Sequence, residues 1–272
     1  MASGPSSFAS AHGLRYRLAF LDDFDGDGLD RGRWLPHYLP HWSSLEDSRA
    51  RYSVAGGCLT LRVEPDQGSW CPDLDPGTRV SHLQTGHRSG PLGSAEGQHR
   101  FRPGLVVREA LAPLRLYLPH FGTVEMRARA DLGPDGMAAL WLIGWEERPE
   151  DSGEITVMEV FGRSATAAGT RLGHGIKAIT DPRLVIDMAD PLLPFDVADW
   201  HVYAAEWTPE GVSFLLDGAV LRHVAQSPDY PMQLMLGVFD FAETGAEAGA
   251  VRERPPNTLS VDWVRGHETV SD

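Results

Sequence analysis

Nowhere in these 272 residues does an apolar helical period persist. Apolar positions come instead in short extended runs, each cut off within about ten residues by Gly, Pro or Asp, the pattern of antiparallel strands joined by turns. The 29 Gly and 20 Pro supply the breaks that such a chain needs. Strands are expected over 18–24, 52–54, 58–63, 81–86, 114–118, 123–130, 137–145, 154–161 and 172–179. More are expected over 201–207, 212–216, 220–224, 233–239 and 259–267. That many short strands at hairpin spacing imply a two-sheet sandwich or jelly roll. Residues 1–13 read as a flexible tail and 14–272 as one all-β domain, a size that sandwiches often reach. The polar, Pro-broken segment 64–104 is too long for a plain connection and is expected to build functional walls. Residues 242–256 read as a Gly/Ala/Glu/Pro loop.

The run Gly153-Glu154-Ile155-Thr156-Val157-Met158-Glu159-Val160-Phe161-Gly162 carries two carboxylates on an otherwise apolar strand. Buried acids are costly unless something uses them. In a regular strand Glu154 and Thr156 share one face and Glu159 points to the other. One extra residue near Val157-Met158, a β-bulge, returns Glu159 to the face of Glu154. Long side chains leaning together then reach the ~5–5.5 Å separation of a retaining glycosidase pair, in which one carboxylate attacks and the other protonates the leaving oxygen.

The chain has 24 Lys and Arg against 38 Asp and Glu, a net charge of −14. That disfavours nucleic acid and anionic membrane as partners. Every basic residue except Lys177 is Arg, which reads as compositional bias. Cys58 and Cys71 could pair or stay free, since two cysteines diagnose no framework. The first thirteen residues lack the basic start and apolar stretch of a secretory leader. The sequence as given is therefore expected in the cytoplasm, or outside the cell if a leader was removed. No apolar stretch is long enough for a membrane helix. No phosphate loop, nucleophile elbow or His/Cys metal spacing is present.

The strand with the two acids resembles the Glu-x-Asp-x-x-Glu signature of glycoside hydrolase family 16, the laminarinase, agarase and lichenase group. Further stretches agree in order. Leu21-Asp22-Asp23-Phe24-Asp25-Gly26 with Arg33-Trp34 is similar to the family's opening strand. Phe121-Gly122-Thr123-Val124-Glu125-Met126-Arg127 and Ala139-Leu140-Trp141-Leu142-Ile143-Gly144 resemble the strands before the catalytic one. Trp200-His201-Val202-Tyr203, Glu206-Trp207-Thr208-Pro209, Leu216-Asp217-Gly218 and Val261-Asp262-Trp263-Val264-Arg265 resemble late strands. One departure stands out: Thr156 occupies the place of the middle Asp.

The resemblance implies a concanavalin A-like jelly roll whose concave sheet forms an open cleft. It makes Glu154 the nucleophile and Glu159 the acid/base, with no cofactor. Trp141 is expected to stack on a sugar, Trp145 to extend that platform, and His174 to contact the nucleophile region or the sugar. Trp42 and Gln84 are expected in the cleft, and His37, His41, Gln98, His99 and Arg100 could line it too. A structural calcium near Asp262, with backbone from the Asp23–Gly26 turn, occurs in some relatives.

The function expected is retaining hydrolysis of an internal β-linkage in a neutral oligosaccharide or polysaccharide. Two alternatives keep the fold. An intracellular cyclase, isomerase or lyase could use the same pair on a small biosynthetic intermediate. A carbohydrate-binding protein without turnover is the other, and two intact acids argue against it.

Overall fold

The structure, a computed structural model, describes residues 8, 10–241 and 256–270. Most of the expected 1–13 tail and all but Pro256 of the expected 242–256 loop lie outside the described residues. Within the tail, Ala11 N–H donates to Glu206 at 2.8 Å.

Nineteen strands are described. They are β1 (Tyr16–Asp22), β2 (Tyr52–Val54), β3 (Leu59–Val63), β4 (Thr78–Gln84), β5 (Gly86–His87), β6 (Leu114–Arg115), β7 (Gly122–Asp131), β8 (Gly136–Gly144) and β9 (Glu154–Phe161). There follow β10 (Ala165–Thr166), β11 (Gly169–Arg171), β12 (Gly173–Lys177), β13 (Asp187–Ala189), β14 (Leu192–Leu193), β15 (His201–Thr208), β16 (Gly211–Leu216), β17 (Ala219–Val224), β18 (Met232–Phe241) and β19 (Asn257–Thr269). The only helices among the described residues are two single 3₁₀ turns. The all-β jelly-roll expectation holds.

Two antiparallel sheets carry the fold. One has the order β17-β16-β15-β7-β19-β3-β2, with β1 also paired to β19; the other has the order β13-β12-β9-β8-β18-β4. Alternation along each strand sets which side chains meet between them. On β8, Ala138, Leu140 and Leu142 enter the main core, where they join Val124, Met126, Phe214, Leu234, Leu236 and Val261. The other parity of β8 (Met137, Ala139, Trp141, Ile143) joins a second apolar cluster with Leu39, Trp42, Trp70, Val80 and Phe239. The long 64–104 segment and the 35–42 loop therefore pack onto the outer face of the six-stranded sheet at one end. They leave the rest of that face open. Burying each large apolar side chain contributes roughly 1.5–3 kcal/mol, so both faces of this sheet help to hold it.

Three strand boundaries differ from expectation for visible reasons. Asp22 ends β1 because its carboxylate accepts the Phe24 N–H and Trp34 Nε1–H, which bends the chain out of the sheet. The expected 114–118 strand stops at Arg115, since the next two N–H groups both donate to the Thr85 carbonyl. The expected 81–86 strand starts at Thr78, and its end separates as β5.

Candidate active site

The geometry of the site begins with one extra residue. Leu140 pairs with Met158 and Trp141 with Thr156, so Val157 has no partner of its own on β8. On the other side Gly173 pairs with Glu159 and Gly175 with Thr156, which shows the same extra residue. Val157 and Met158 both turn into the main core. The bulge thus returns Glu159 to the open face, with Glu154, Thr156 and Phe161.

These four residues line a cavity of about 290 Å³. Met137, Ala139 and Trp141 of β8 and Phe239 and Phe241 of β18 form its apolar floor; Tyr38, Asp75, Thr78 and His99 close it from the rim, and Lys177 of β12 stands beside the acids. Glu154 is buried and Glu159 half-buried. Thr156 Oγ1 donates to Glu154 Oε1 at 2.7 Å. Lys177 Nζ lies 3.0 Å from the same Oε1 and 3.2 Å from Glu159 Oε2. Those two contacts keep one oxygen of each acid within about 6 Å of the other. Burial works against the Lys177 ammonium, but the charges of Glu154 and Glu159 and the bonds to both outweigh it and raise its pKa. Burial raises the Tyr38 hydroxyl, and Glu154 and Asp75 push it further.

Room for the lysine comes from its own strand. Gly173 lies directly across from Glu159, where a Cβ would crowd the Glu159 Cβ at 3.2 Å, and Gly175 lies across from Thr156. Gly175 has φ 147°, and a Cβ there would meet the Asp187 carbonyl oxygen at 2.2 Å, so no other residue fits without moving β13.

His99 lines the rim, and the buried Glu146 anchors it from behind. His99 N–H donates to Glu146 Oε1 at 2.6 Å. The Glu146 carboxyl is pushed up to about 7 by burial, against the opposing pull of the His99 N–H and of Arg100 and Arg88. Burial lowers the His99 imidazole; Glu154 opposes this and Lys177 adds to it.

The structure brings Glu154, Glu159, Trp141 and His99 to one cavity and places four other expected site residues elsewhere. His174 has the wrong parity: it faces the core, packs on Phe214 at 5.3 Å and bonds the Leu172 carbonyl through Nδ1. Trp42 is fully buried in the second apolar cluster, and its Nε1–H donates to the Gln98 carbonyl. Gln84, also fully buried, spans the Leu39 N–H and the Gly86 carbonyl. Trp145 lies past the end of β8, bonded to the Leu114 carbonyl and covered by the Arg115 guanidinium at 3.6 Å. His41 and Gln98 are buried and bonded to each other behind the rim. Asp262 ion-pairs with Arg127 at 2.6 Å, and no group of three metal-ligating side chains occurs among the described residues. Cys58 and Cys71 are free thiols. Sequence reasoning missed Lys177. It is the one lysine in the chain, but that fact alone says nothing of its place, which comes from the register of β12 on β9.

Comparison with known proteins gives the site a context. The profile of glycosyl hydrolases family 16 matches residues 117–265, which include every strand that bears the acids and their neighbours. The beta-glucanase of Rhodothermus marinus is 27% identical over 182 residues, covering 55% of this chain and 58% of its own. Glucan endo-1,3-beta-glucosidase A1 of Niallia circulans is 23% identical and covers 91% of this chain, which spans 37% of that protein. Among solved structures, the GlcNAcα1-4Gal-releasing endo-β-galactosidase of Clostridium perfringens superposes with a TM-score of 0.82 at 27% identity, over 99% of this chain and 66% of its own. The laminarinase catalytic domain of Thermotoga petrophila superposes with a TM-score of 0.66 at 17% identity, over 95% and 100%.

Proposed function

We propose that this chain, which belongs to glycosyl hydrolases family 16, is an endo-acting glycosidase that cleaves an internal β-linkage with retention. Glu154 serves as nucleophile and Glu159 as acid and then base. The observation that supports this reading is the bulge at Val157, which turns two carboxylates onto one open face where a single ammonium touches both. Trp141 forms the floor between them, and a flat indole there can stack on the apolar face of a pyranose.

In the first step a Glu154 oxygen attacks the anomeric carbon while the glycosidic oxygen leaves with the proton of Glu159. In the second, water attacks the same carbon, gives its proton to Glu159 and returns Glu154 to a carboxylate. Thr156 donates to one oxygen of Glu154, so it orients the nucleophile where a carboxylate would have added charge. The net charge of −14 suits a neutral glycan. A β-galactosidic or β-glucosidic bond fits the relatives, whose names describe an endo-β-galactosidase and β-glucanases. They lend no support to a small-molecule substrate.

The test is a panel of galactose- and glucose-based β-glycans, followed by proton NMR of the first product. Release of internal fragments with the β-anomer formed first is the expected result. First appearance of the α-anomer, or inertness of the whole panel, would reject the assignment.

A further inference from the structure

We infer that Lys177 is a positioning residue whose ammonium follows the single negative charge that the carboxylate pair carries through the reaction. The inference rests on the proposed retaining mechanism and extends it to a residue with no role in the pair's own chemistry.

Three observations converge. The ammonium touches one oxygen of each acid, at 3.0 and 3.2 Å. The register of β12 sets Lys177 directly across from Glu154 and a glycine, Gly173, across from Glu159. It is also the one lysine in a chain that uses Arg at its other 23 basic positions. An Arg fork grips one carboxylate through two parallel N–H groups, whereas an ammonium is a compact charge with three donors on a flexible stem. The compact ammonium can shift its weight between two acids by small rotations of that stem, where a planar fork must turn as a whole.

The charge balance says why that helps. Before attack, Glu154 is a carboxylate and Glu159 holds the proton. After attack, Glu154 is a neutral ester and Glu159 is the carboxylate. The pair holds one negative charge at each stage, but on a different residue. Lys177 lies within contact of both sites, so its ammonium can neutralise either without leaving the strand. Its contact with Glu154 Oε1, shared with Thr156, leaves Oε2 to attack; its contact with Glu159 Oε2 leaves Oε1 to carry the proton. The other ionisable groups around the ammonium are Asp75, Tyr38 and His99 on the rim.

Growth on ¹³C,¹⁵N-lysine labels a single residue in this protein. The titration of its side-chain signals can then be followed without any substrate. The expected midpoint falls by about 1 pH unit or more in Glu154→Gln and likewise in Glu159→Gln, and falls further in the double variant, with folding checked by circular dichroism. On a cleaved glycan, Lys177→Met should lower kcat by about 10²-fold with little change in KM, and Lys177→Arg should not restore it. A midpoint unmoved by either single substitution, or full kcat in Lys177→Met, overturns the inference. Stepwise midpoints in a protein that opens no glycosidic bond keep the lysine bridge and overturn the glycosidase reading alone.

Discussion

The His99 N–H is bonded to the Glu146 carboxylate at 2.6 Å, and both residues are held at positive φ, 51° and 54°. A rim residue and the buried acid that anchors it, both non-glycine and both in the left-handed region, mark a rim whose shape is imposed rather than relaxed. Glu146 has a folded pKa of about 7 against an ordinary 4.5. A raised carboxyl adds stability that is complete below about 4.5 and disappears as pH rises through about 7. Glu146→Gln keeps an acceptor for His99 and removes the charge. It should therefore flatten the dependence of Tm on pH between about 4.5 and 7, as measured by calorimetry.

His41, His82 and His87 are fully buried, and burial lowers them to about 3, 3 and 4. A depressed histidine contributes stability that is present above the ordinary 6.5 and lost as pH falls toward the folded value. Burial also raises two carboxyls, Glu146 and Glu125, which work in the other direction, and the three histidines outweigh them. Urea midpoints should drop steadily below pH 6.5, and a protein equally stable at pH 7 and pH 4.5 would contradict the neutral burial of these rings.

On a substrate found by the glycan panel, Glu154→Gln and Glu159→Gln should each lose at least about a thousandfold in kcat, or ~4 kcal/mol in the barrier, with the fold intact. Azide should partly restore Glu154→Ala by replacing the missing nucleophile and should yield a glycosyl azide. Wild-type turnover in Glu154→Ala without added anion would remove Glu154 from the mechanism.

Trp141 and His174 separate binding from packing. Trp141→Ala should weaken glycan binding by roughly 1–3 kcal/mol in calorimetric titration, because the indole forms the cavity floor. His174 lies against Phe214 in the core. His174→Leu should shift Tm and leave Kd within about twofold, since it touches nothing in the cavity.

Much of this site is legible from parity. The alternation of β8 announces Trp141 on the open face, and the adjacent Val157 and Met158 announce a break in the period of β9 that rescues Glu159. Parity also tells against His174, once Gly175 is seen to pair with Thr156, yet register between strands is not written in either strand alone. Lys177 could not be assigned from pattern because its role comes from that cross-strand register. Trp42, Gln84 and Trp145 were misplaced for another reason. They sit in or beside loops, where polar and aromatic residues serve burial as readily as binding, and only the packed structure shows which.

The unpaired Val157 makes the chemistry depend on counting. Pairing the same sequence regularly, without the bulge, would swing Glu159 inward among Val157 and Leu140 and take Phe161 to the wrong side with it, whereas deleting Val157 would restore an unbroken pleat with both acids still on the open face, one residue closer together. Loop length around the strand is therefore free of this constraint, while between the two acids length and bulge are tied: four intervening residues need the bulge, and three would need its absence.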